Sequence, residues 1–561
     1  MLPVASVGSC ASRHFYGLMS ISLTQTWIHE ERVDVSGDKK SSRTTVSLHG
    51  NPHTLKRGAV GVVGVVFMVV AFSAPISAMT ANLPVAVGFG NGAGAPAGFI
   101  IATVVLTIFS IGFVALARHI TAAGAFYTFV SRGWSRIPGL AAGVMSMFVY
   151  MIMEAGVIGV FSAFAHQAAS GFLAVDIPWW WFGFFAVAAI GLLSHKDVSL
   201  AAKVLGVALV AEIAILTLTA VCGLARGGGP EWGSLMPTAA LHANGVTGGS
   251  VGLGLLMAFW SWVGFEASAI YGEESTDPKR VVPRATLIAV IGIGVFYTFI
   301  AWAVISANGR ARSIALASGD SPFELLYAPA REYVGSWAVT VFELLVLGGT
   351  FACALAIHNA ASRYLFAFGR DRLLWRRLGA AHPRHGSPWI ASLVQSGFTV
   401  LLLAITIATR SDPYLILFTL VAILATLCLL VVQVMCSIAV ITYFHVKRQH
   451  PETATWWRTL ACPVVGGLGM MFVIYLMATN MAAAAGVAAE SPLFRAIPWI
   501  VATLLLGSMA LAWYLRAVKP TMYERIGRTV FDERGGDGTD ELITEARHQP
   551  TAFATESDGR L

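Results

Sequence analysis

The sequence contains twelve apolar stretches, and a bilayer core requires roughly 20 residues of helix to cross it. Lipid offers no hydrogen bonds to the backbone, so a stretch that crosses it must satisfy its own peptide groups as a helix. The sequence therefore predicts an all-α integral membrane protein with twelve transmembrane helices. The approximate limits of the stretches, of which the fourth is short, are 58–88, 97–118, 138–168, 178–194, 199–224, 250–272, 284–307, 336–368, 388–408, 413–444, 460–482 and 496–516.

The composition agrees with a membrane protein. Of 561 residues, 12% are charged, whereas soluble domains carry about 25%. The net charge of +7 lies in loops between the apolar stretches and forms no single patch, so we expect a lipid bilayer and no nucleic acid as partner. None of the six cysteines belongs to a CxxC pair, and we interpret them as small packing residues. They are Cys10, Cys222, Cys353, Cys428, Cys436 and Cys462.

The loops predict the orientation. Most lysines and arginines fall on the side that holds both termini, which predicts cytoplasmic termini. The opposite side holds only Arg226, Arg310, Arg312, Arg331, Arg410 and Arg495. We expect residues 1–55 and 519–561 to be disordered cytoplasmic tails around a membrane domain at 56–518. An alternative interpretation is that the first part of residues 1–55 lies upstream of the true translation start.

Two of the stretches look interrupted. Pro75 lies within the first, after Ser73 and Ala74, and Gly264 lies within the sixth. Proline removes a backbone donor and clashes with the preceding turn, although a simple kink explains Pro75 equally well. Interruptions five stretches apart indicate two inverted halves with a binding site between the broken helices. The halves would be 58–224 and 250–444, followed by extra helices within 460–516.

Broken helices expose peptide groups that can bind a solute. The half-helix that begins near Ile76 presents free N–H groups suited to a carboxylate, and Ser77 is small enough to let a ligand approach. No lysine or arginine lies in the middle of any stretch. A bound anion would therefore be held by the backbone.

Four acids lie within the apolar stretches: Glu154, Glu212, Glu266 and Glu343. An acid at membrane depth costs roughly 3 kcal/mol on insertion scales, so it faces a cavity or a partner. For Glu266, which follows Gly264 and Phe265, we favour a functional role over a structural one. Glu154 (near Tyr150) and Glu212 are balanced between structure and proton coupling, since buried carboxyls can exchange a proton near neutral pH. Glu343 fits a structural role better.

Other polar and aromatic residues have two interpretations each. Trp260 or Trp262 could cover a ligand, or pack against lipid and protein like most tryptophans here. His358 and Asn359 are more typical of hydrogen bonds between helices than of ligand binding. The sequence lacks GxxxxGK[ST] and HExxH, and its GxSxG match at 248–252 lies at the start of an apolar stretch, so it supports neither an ATP-driven pump nor a membrane protease. We expect no enzymatic activity, no metal site and no organic cofactor.

Three motifs together resemble the amino acid permeases of the amino acid–polyamine–organocation superfamily. The resemblance runs from about residue 58 to about residue 516. The first motif is WSWVGFE at 260–266 with Glu273, Glu274, Asp277–Arg280 and Pro283–Ala285. The second is AAGAFY at 122–127. The third is Ser362–Tyr364 with Arg370–Arg372, His382, Pro383, Ser387 and Pro388.

The resemblance implies the leucine-transporter fold, with five-plus-five inverted repeats and discontinuous helices one and six. It implies that Ser73, Ala74, Pro75, Ile76 and Ser77 bind the substrate carboxylate. It also implies that Gly264, Phe265 and Glu266 bind the amino group, with Trp260 as a gating aromatic. The chain is thus expected to be a secondary transporter of amino acids or related amines in the plasma membrane, acting by alternating access.

The sequence departs from the family pattern at three places. Ser73-Ala74-Pro75 stands where Gly-Ser-Gly is frequent, and Glu212 stands where several proton-coupled members have lysine. Gly348 and Gly349 stand where sodium-coupled relatives have hydroxyls. We therefore expect a proton as the coupling ion, with sodium less favoured and exchange as an alternative. The rival hypotheses are a polyamine or organic amine carrier, and a non-transporting receptor or scaffold on the same fold.

Overall fold

The computed structural model describes residues 61–120, 124–173, 175–195, 199–270, 275–382, 386–479 and 491–527. The predicted tail at 1–55 lies outside these ranges, as does the chain after residue 527. Within the described ranges the regular secondary structure is helical and contains no β-strand, as the sequence predicts.

The described chain contains the following main helices, apart from short 3-10 turns and the π turn Ala330–Val334. They are α1 (Val62–Ser73), α2 (75–90, with α and π turns), α3 (Ala95–Ala117), α4 (Phe126–Gly133), α5 (Arg136–Leu173), α6 (Trp179–His195), α7 (Ser199–Arg226), α8 (Val251–Trp260), α9 (Ala267–Ile270), α10 (Pro278–Asn308), α11 (Arg310–Ala317), α12 (Glu324–Pro329), α13 (Ser336–Arg370), α14 (Trp389–Ala408), α15 (Pro413–Val446), α16 (Trp456–Thr479), α17 (Pro492–Val518) and α18 (Pro520–Arg525).

Ten helical elements of the described chain are long and apolar enough to cross a membrane, when α1 and α2 are taken together as Val62–Gly90. Two further apolar helices, Trp179–Ser194 and Val251–Trp260, are shorter. All twelve predicted stretches thus coincide with apolar helices, but the fourth and sixth are too short to count as spans by length alone.

Long helices surround the interrupted ones. Helix α10 packs along α3, α1 and α7, and α13 packs along α5, α7 and α1. The helices differ in how deeply they are buried. Of the most apolar 18 residues of α15, 78% are buried, against 17% for α17. Helix α17, one of the two predicted extra helices, therefore presents most of its surface outward.

The start of the predicted disordered C-terminal tail needs correction. Residues 520–525 form α18, and the backbone N–H of Gly527 donates to Tyr127 Oη at 2.9 Å. Tyr127 Oη in turn donates to Asp371 Oδ2 at 2.6 Å, and the Arg136 guanidinium lies 5.6 Å from the ring centre of Tyr523. These contacts order a segment whose polar composition alone indicated disorder.

Truncation tests whether α18 stabilises the membrane domain. A chain ending at Lys519 loses the Gly527 donor and the Tyr523 ring contact, and we expect it to lose about 1–3 kcal/mol of stability. A chain ending at Gly527 keeps both contacts and serves as the control. Thermal unfolding in detergent measures both, and equal midpoints for the two truncations would contradict a stabilising role.

Candidate functional site

The first interruption lies at Ala74. Helix α1 ends at Ser73, Ala74 adopts a left-handed conformation (φ 40°, ψ 76°), and α2 begins at Pro75. Pro75 explains this geometry, because it has no N–H and disfavours the helical conformation in the residue before it. A left-handed alanine costs on the order of 1–3 kcal/mol and persists only where its surroundings hold it. The interruption predicted from the sequence is present, and it is more than a simple kink.

Side chains of two other helices pair with the carbonyls next to this interruption. Cys353 Sγ on α13 donates to Phe72 O at 2.9 Å, and Tyr297 Oη on α10 donates to Ser73 O at 2.9 Å. Both donors are buried. Because lipid offers no alternative partner, these two hydrogen bonds stabilise the open end of α1.

The second interruption separates α8 from α9. Turns replace the helix between Trp260 and Ala267, and Gly264 has φ 111°, a region that side chains rarely adopt. Glu266, which is fully buried, accepts from Gly264 N at 3.1 Å through Oε2. Tyr150 Oη donates to its Oε1 at 2.7 Å. Glu266 therefore binds the free backbone of its own interruption and joins it to α5.

A cavity lies between the two interruptions. It has about 50 Å³ of free space for water-sized molecules. Within its lining, Asn82 Nδ2 donates to Ser261 Oγ at 2.8 Å and so connects α2 with the segment after α8. The residues that line the cavity are Phe72, Ser73, Ala74, Ser77, Ala78, Ala81, Asn82, Met153, Val157, Val160, Trp260, Ser261, Val263, Thr350, Cys353, Ile357 and Phe418.

The predicted site residues divide between the lining and the structure behind it. Ser73, Ala74, Ser77 and Trp260 line the cavity. Within the described chain the buried hydroxyl of Ser77 has no hydrogen-bond partner, so it is available to a ligand. The remaining predicted residues of the two interruptions lie beside the cavity, outside its lining: Pro75, Ile76, Gly264, Phe265 and Glu266.

Several lining residues escaped the sequence analysis. Asn82, Ser261 and Thr350 are polar residues inside apolar stretches, which is a signal, but small polar residues are common in membrane helices. Cys353 was interpreted as a packing residue, whereas its thiol also pairs with the backbone of α1. Trp262 lies outside the cavity lining, and its Nε1 donates to Val290 O at 3.2 Å. Of the two tryptophans, only Trp260 lines the cavity.

Glu154 belongs to a separate buried cluster. His358 Nδ1 lies 3.0 Å from Glu154 Oε2, and Gln395 Nε2 donates to the same oxygen at 2.6 Å. His358 Nε2 lies 2.7 Å from Ser392 Oγ. The cluster joins α5, α13 and α14, as the sequence interpretation of His358 predicts. Asn359 also joins helices, because Ser194 Oγ on α6 donates to its Oδ1 at 2.8 Å.

Glu212 and Glu343 have different surroundings. Glu212 on α7 is 3% exposed, and its Oε2 lies 3.5 Å from Ile76 N at the start of α2. Glu343 on α13 is only partly buried and lies outside the cavity lining. Across the described residues, no ionisable acid or base other than the Cys353 thiol lines the cavity. No group of three histidines, cysteines or acids there has the arrangement of a metal site.

Comparison with known proteins identifies the class. The family model described as "Amino acid permease" matches residues 59–506. The branched-chain amino acid permease BcaP of Bacillus subtilis is 20% identical over 69% of this chain and 80% of its own length. The low-affinity putrescine importer PlaP of Escherichia coli K12 is 26% identical over 59% of this chain and 71% of its own length. An uncharacterised transporter of Mycobacterium tuberculosis H37Rv is 34% identical over 28% of this chain and 33% of its own length.

Together the apolar helices, the two interruptions and these relatives define a multi-pass membrane transporter, and not an enzyme. The chain belongs to the amino acid permease family, because the family model covers most of its length.

Substitution of Gly264 tests the second interruption. A Cβ at this position would collide with the Phe72 ring, and φ 111° would be strained for alanine. We expect Gly264→Ala to lose at least about 2 kcal/mol of stability and substrate binding with it. Gly348→Ala is the matched control, since its Cβ would meet open space. If both variants keep the wild-type unfolding midpoint, an alanine is tolerated at residue 264, which would contradict the predicted strain.

The Glu154 cluster gives a second prediction. Glu154→Ala leaves His358 and Gln395 buried without their shared acceptor, and we expect a loss of about 3–5 kcal/mol. Glu343→Ala, at a partly buried acid, should change stability by less than about 1 kcal/mol. Thermal unfolding of both variants in detergent provides the comparison. A Glu154→Ala midpoint equal to that of Glu343→Ala would argue against a structural cluster.

Proposed function

We propose that the protein is a secondary active transporter of neutral amino acids with apolar side chains, acting by alternating access across the plasma membrane. The observation that carries the proposal is a cavity between two interrupted helices whose lining combines bare backbone with an apolar wall. Interrupted helices at a shared site are the arrangement by which transporters bind solutes at the middle of the bilayer.

The polar ends of an amino acid match the two interruptions. The carboxylate fits the start of α2, where the Ser77 hydroxyl is unpaired among the described residues and N–H groups point from a helix start. The ammonium group fits the carbonyls of the turns between Trp260 and Ala267. A substrate held in this way needs no charged side chain from the protein.

The opposite wall favours an apolar substrate side chain. Met153, Val157 and Val160 of α5 face the cavity together with Ile357 and Phe418. A charged side chain placed against this wall would lose its hydration without an opposite partner. Among the named relatives, the proposal therefore follows the branched-chain permease more closely than the putrescine importer.

The hydrogen bonds of Glu154 and Glu266 argue against the amine-carrier hypothesis. That hypothesis needs Glu154 and Glu266 to pair with a cationic ligand. Glu154 instead accepts from Gln395, and Glu266 accepts from Tyr150 and Gly264, and neither acid lines the cavity. An amine would have to compete with these contacts before it could pair with either acid.

We further propose twelve transmembrane helices in two inverted repeats of five, with two extra helices and cytoplasmic termini. The short helices α6 and α8 would complete the set of ten long elements. The interruptions in the first and sixth of these positions support the repeat, since they occupy matching places in the two halves.

A proton is the proposed coupling ion, with exchange as the alternative mode. Sodium is less favoured because Thr350 Oγ1 donates to Val346 O at 2.6 Å, and neighbouring Gly349 offers no oxygen from a side chain. By contrast, one buried carboxyl, that of Glu212, is present close to the first interruption.

Ligand-dependent stability tests the substrate class. We expect leucine, isoleucine and valine to raise the unfolding midpoint of the purified protein, because a ligand at 100 times its Kd adds about 2.7 kcal/mol. Putrescine and lysine should have no effect. Val160→Ala removes two methyl groups from the wall and should weaken leucine binding about tenfold, whereas Val104→Ala, 51% exposed on α3, should not.

The other outcomes decide between the rivals. Stabilisation by putrescine alone would favour the amine carrier. No stabilisation by any amino acid or amine, together with no uptake into proteoliposomes, would favour a receptor or scaffold.

A further inference from the structure

We propose that Glu212 is the proton-binding residue of this transporter, and that its carboxylate competes with the substrate carboxylate for the backbone N–H of Ile76. The inference deepens the proposed function and rests on it. In this proposal one carboxyl binds the coupling proton and also links proton binding to substrate binding.

Glu212 is set apart from the other buried acids by how little holds it. Its carboxyl accepts one hydrogen bond from the described residues, from Ile76 N at 3.5 Å, which is long. Glu154 and Glu266 each accept at least two hydrogen bonds of 3.1 Å or less. A buried carboxyl with so few donors is poorly stabilised as an anion, and protonation of Glu212 would disturb only this one long contact.

Among the described residues, no cationic side chain compensates Glu212. The titratable groups that face it are Tyr297 of α10 and Cys353 of α13. Both donate to carbonyls of α1 and carry no positive charge. On the α13 side the carboxyl lies directly against Gly349, where a Cβ would be 2.6 Å from Glu212 Oε1. The absence of a side chain at residue 349 therefore provides the space that Glu212 occupies.

The position of Ile76 links the proton to the substrate. Ile76 N belongs to the first turn after the interruption, next to Ala74 and Ser77 of the cavity lining. An ionised Glu212 attracts this N–H and places a negative charge beside the proposed carboxylate site. A protonated Glu212 releases the N–H and removes the repulsion. Substrate and proton therefore bind together, which is the requirement for symport.

The cycle transfers one proton and breaks no other bond. The Glu212 carboxylate takes a proton from water on the outer side and becomes a neutral carboxylic acid, and the zwitterion then binds. After the change of access the substrate leaves, the acid returns its proton to water on the cytoplasmic side, and the carboxylate reforms. The net charge moved with a zwitterion is that of the proton.

Glu212→Gln tests the proposal because glutamine imitates the protonated acid. In proteoliposomes the wild type should concentrate labelled leucine when the outside is acidic. Above the pH at which Glu212 ionises, leucine affinity should fall about tenfold per pH unit. The glutamine variant should keep leucine exchange within about threefold of wild type, lose accumulation driven by the pH gradient, and bind leucine equally across pH values. Glu343→Gln is the matched control and should behave as wild type.

Each outcome has a distinct meaning. A wild type that neither binds nor moves leucine contradicts the proposed substrate class, whatever Glu212 does. A wild type that couples leucine to protons, with a glutamine variant that still concentrates leucine on a pH gradient, overturns the assignment of Glu212. A wild type that moves leucine without response to pH overturns it as well.

A second variant protects the test against misfolding of Glu212→Gln. Gly349→Ala places a methyl group against Glu212 Oε1 without removing the carboxyl. It should move the pH of half-maximal leucine binding by at least about half a unit, because it changes the contacts of the acid. An unchanged midpoint in a folded Gly349→Ala protein would show that the titrating group lies elsewhere.

Discussion

The structure depends on satisfying peptide groups where two helices stop inside an apolar environment. An unpaired backbone group in lipid costs several kcal/mol, so an interrupted helix needs partners from its neighbours. Tyr297 and Cys353 provide donors to the carbonyls that end α1, and Glu266 provides an acceptor for Gly264 N. Helices α10 and α13 therefore supply the hydrogen bonds that stabilise the open end of α1 beside the cavity.

The buried acids differ in their hydrogen-bond partners, and their proposed roles follow from that difference. Glu266 holds the second interruption against Tyr150 of α5, and Glu154 joins three helices through His358 and Gln395. Both are fixed by contacts whose loss would leave buried polar groups unpaired. Glu212 has a single long hydrogen bond from the described residues and lies against the backbone of Gly349. Of these three acids, it can change protonation with the least rearrangement of the surrounding helices.

Local chemistry made much of the fold predictable, and contacts between distant helices limited the rest. The position of the first interruption follows from Pro75, which acts on its immediate neighbours. By contrast, hydropathy could not show that Glu154, His358 and Gln395 meet, because that depends on the rotation of three helices. The same limit applies to the C-terminal segment, where the contact between Gly527 and Tyr127 outweighs a polar composition.

The proposed binding mode distinguishes between the two substrate classes named among the relatives by a simple electrostatic argument. A diamine has a cation at each end, and in the proposed binding mode the carbonyls after Trp260 bind one of them. The second cation would lie against Val157 and Val160, with no acid in the lining to receive it. Removing an ammonium from water without a partner costs far more than a hydrophobic contact returns. In the proposed binding mode a zwitterion would avoid this cost, because both of its charges would lie at the interrupted backbone and only its side chain would contact the wall.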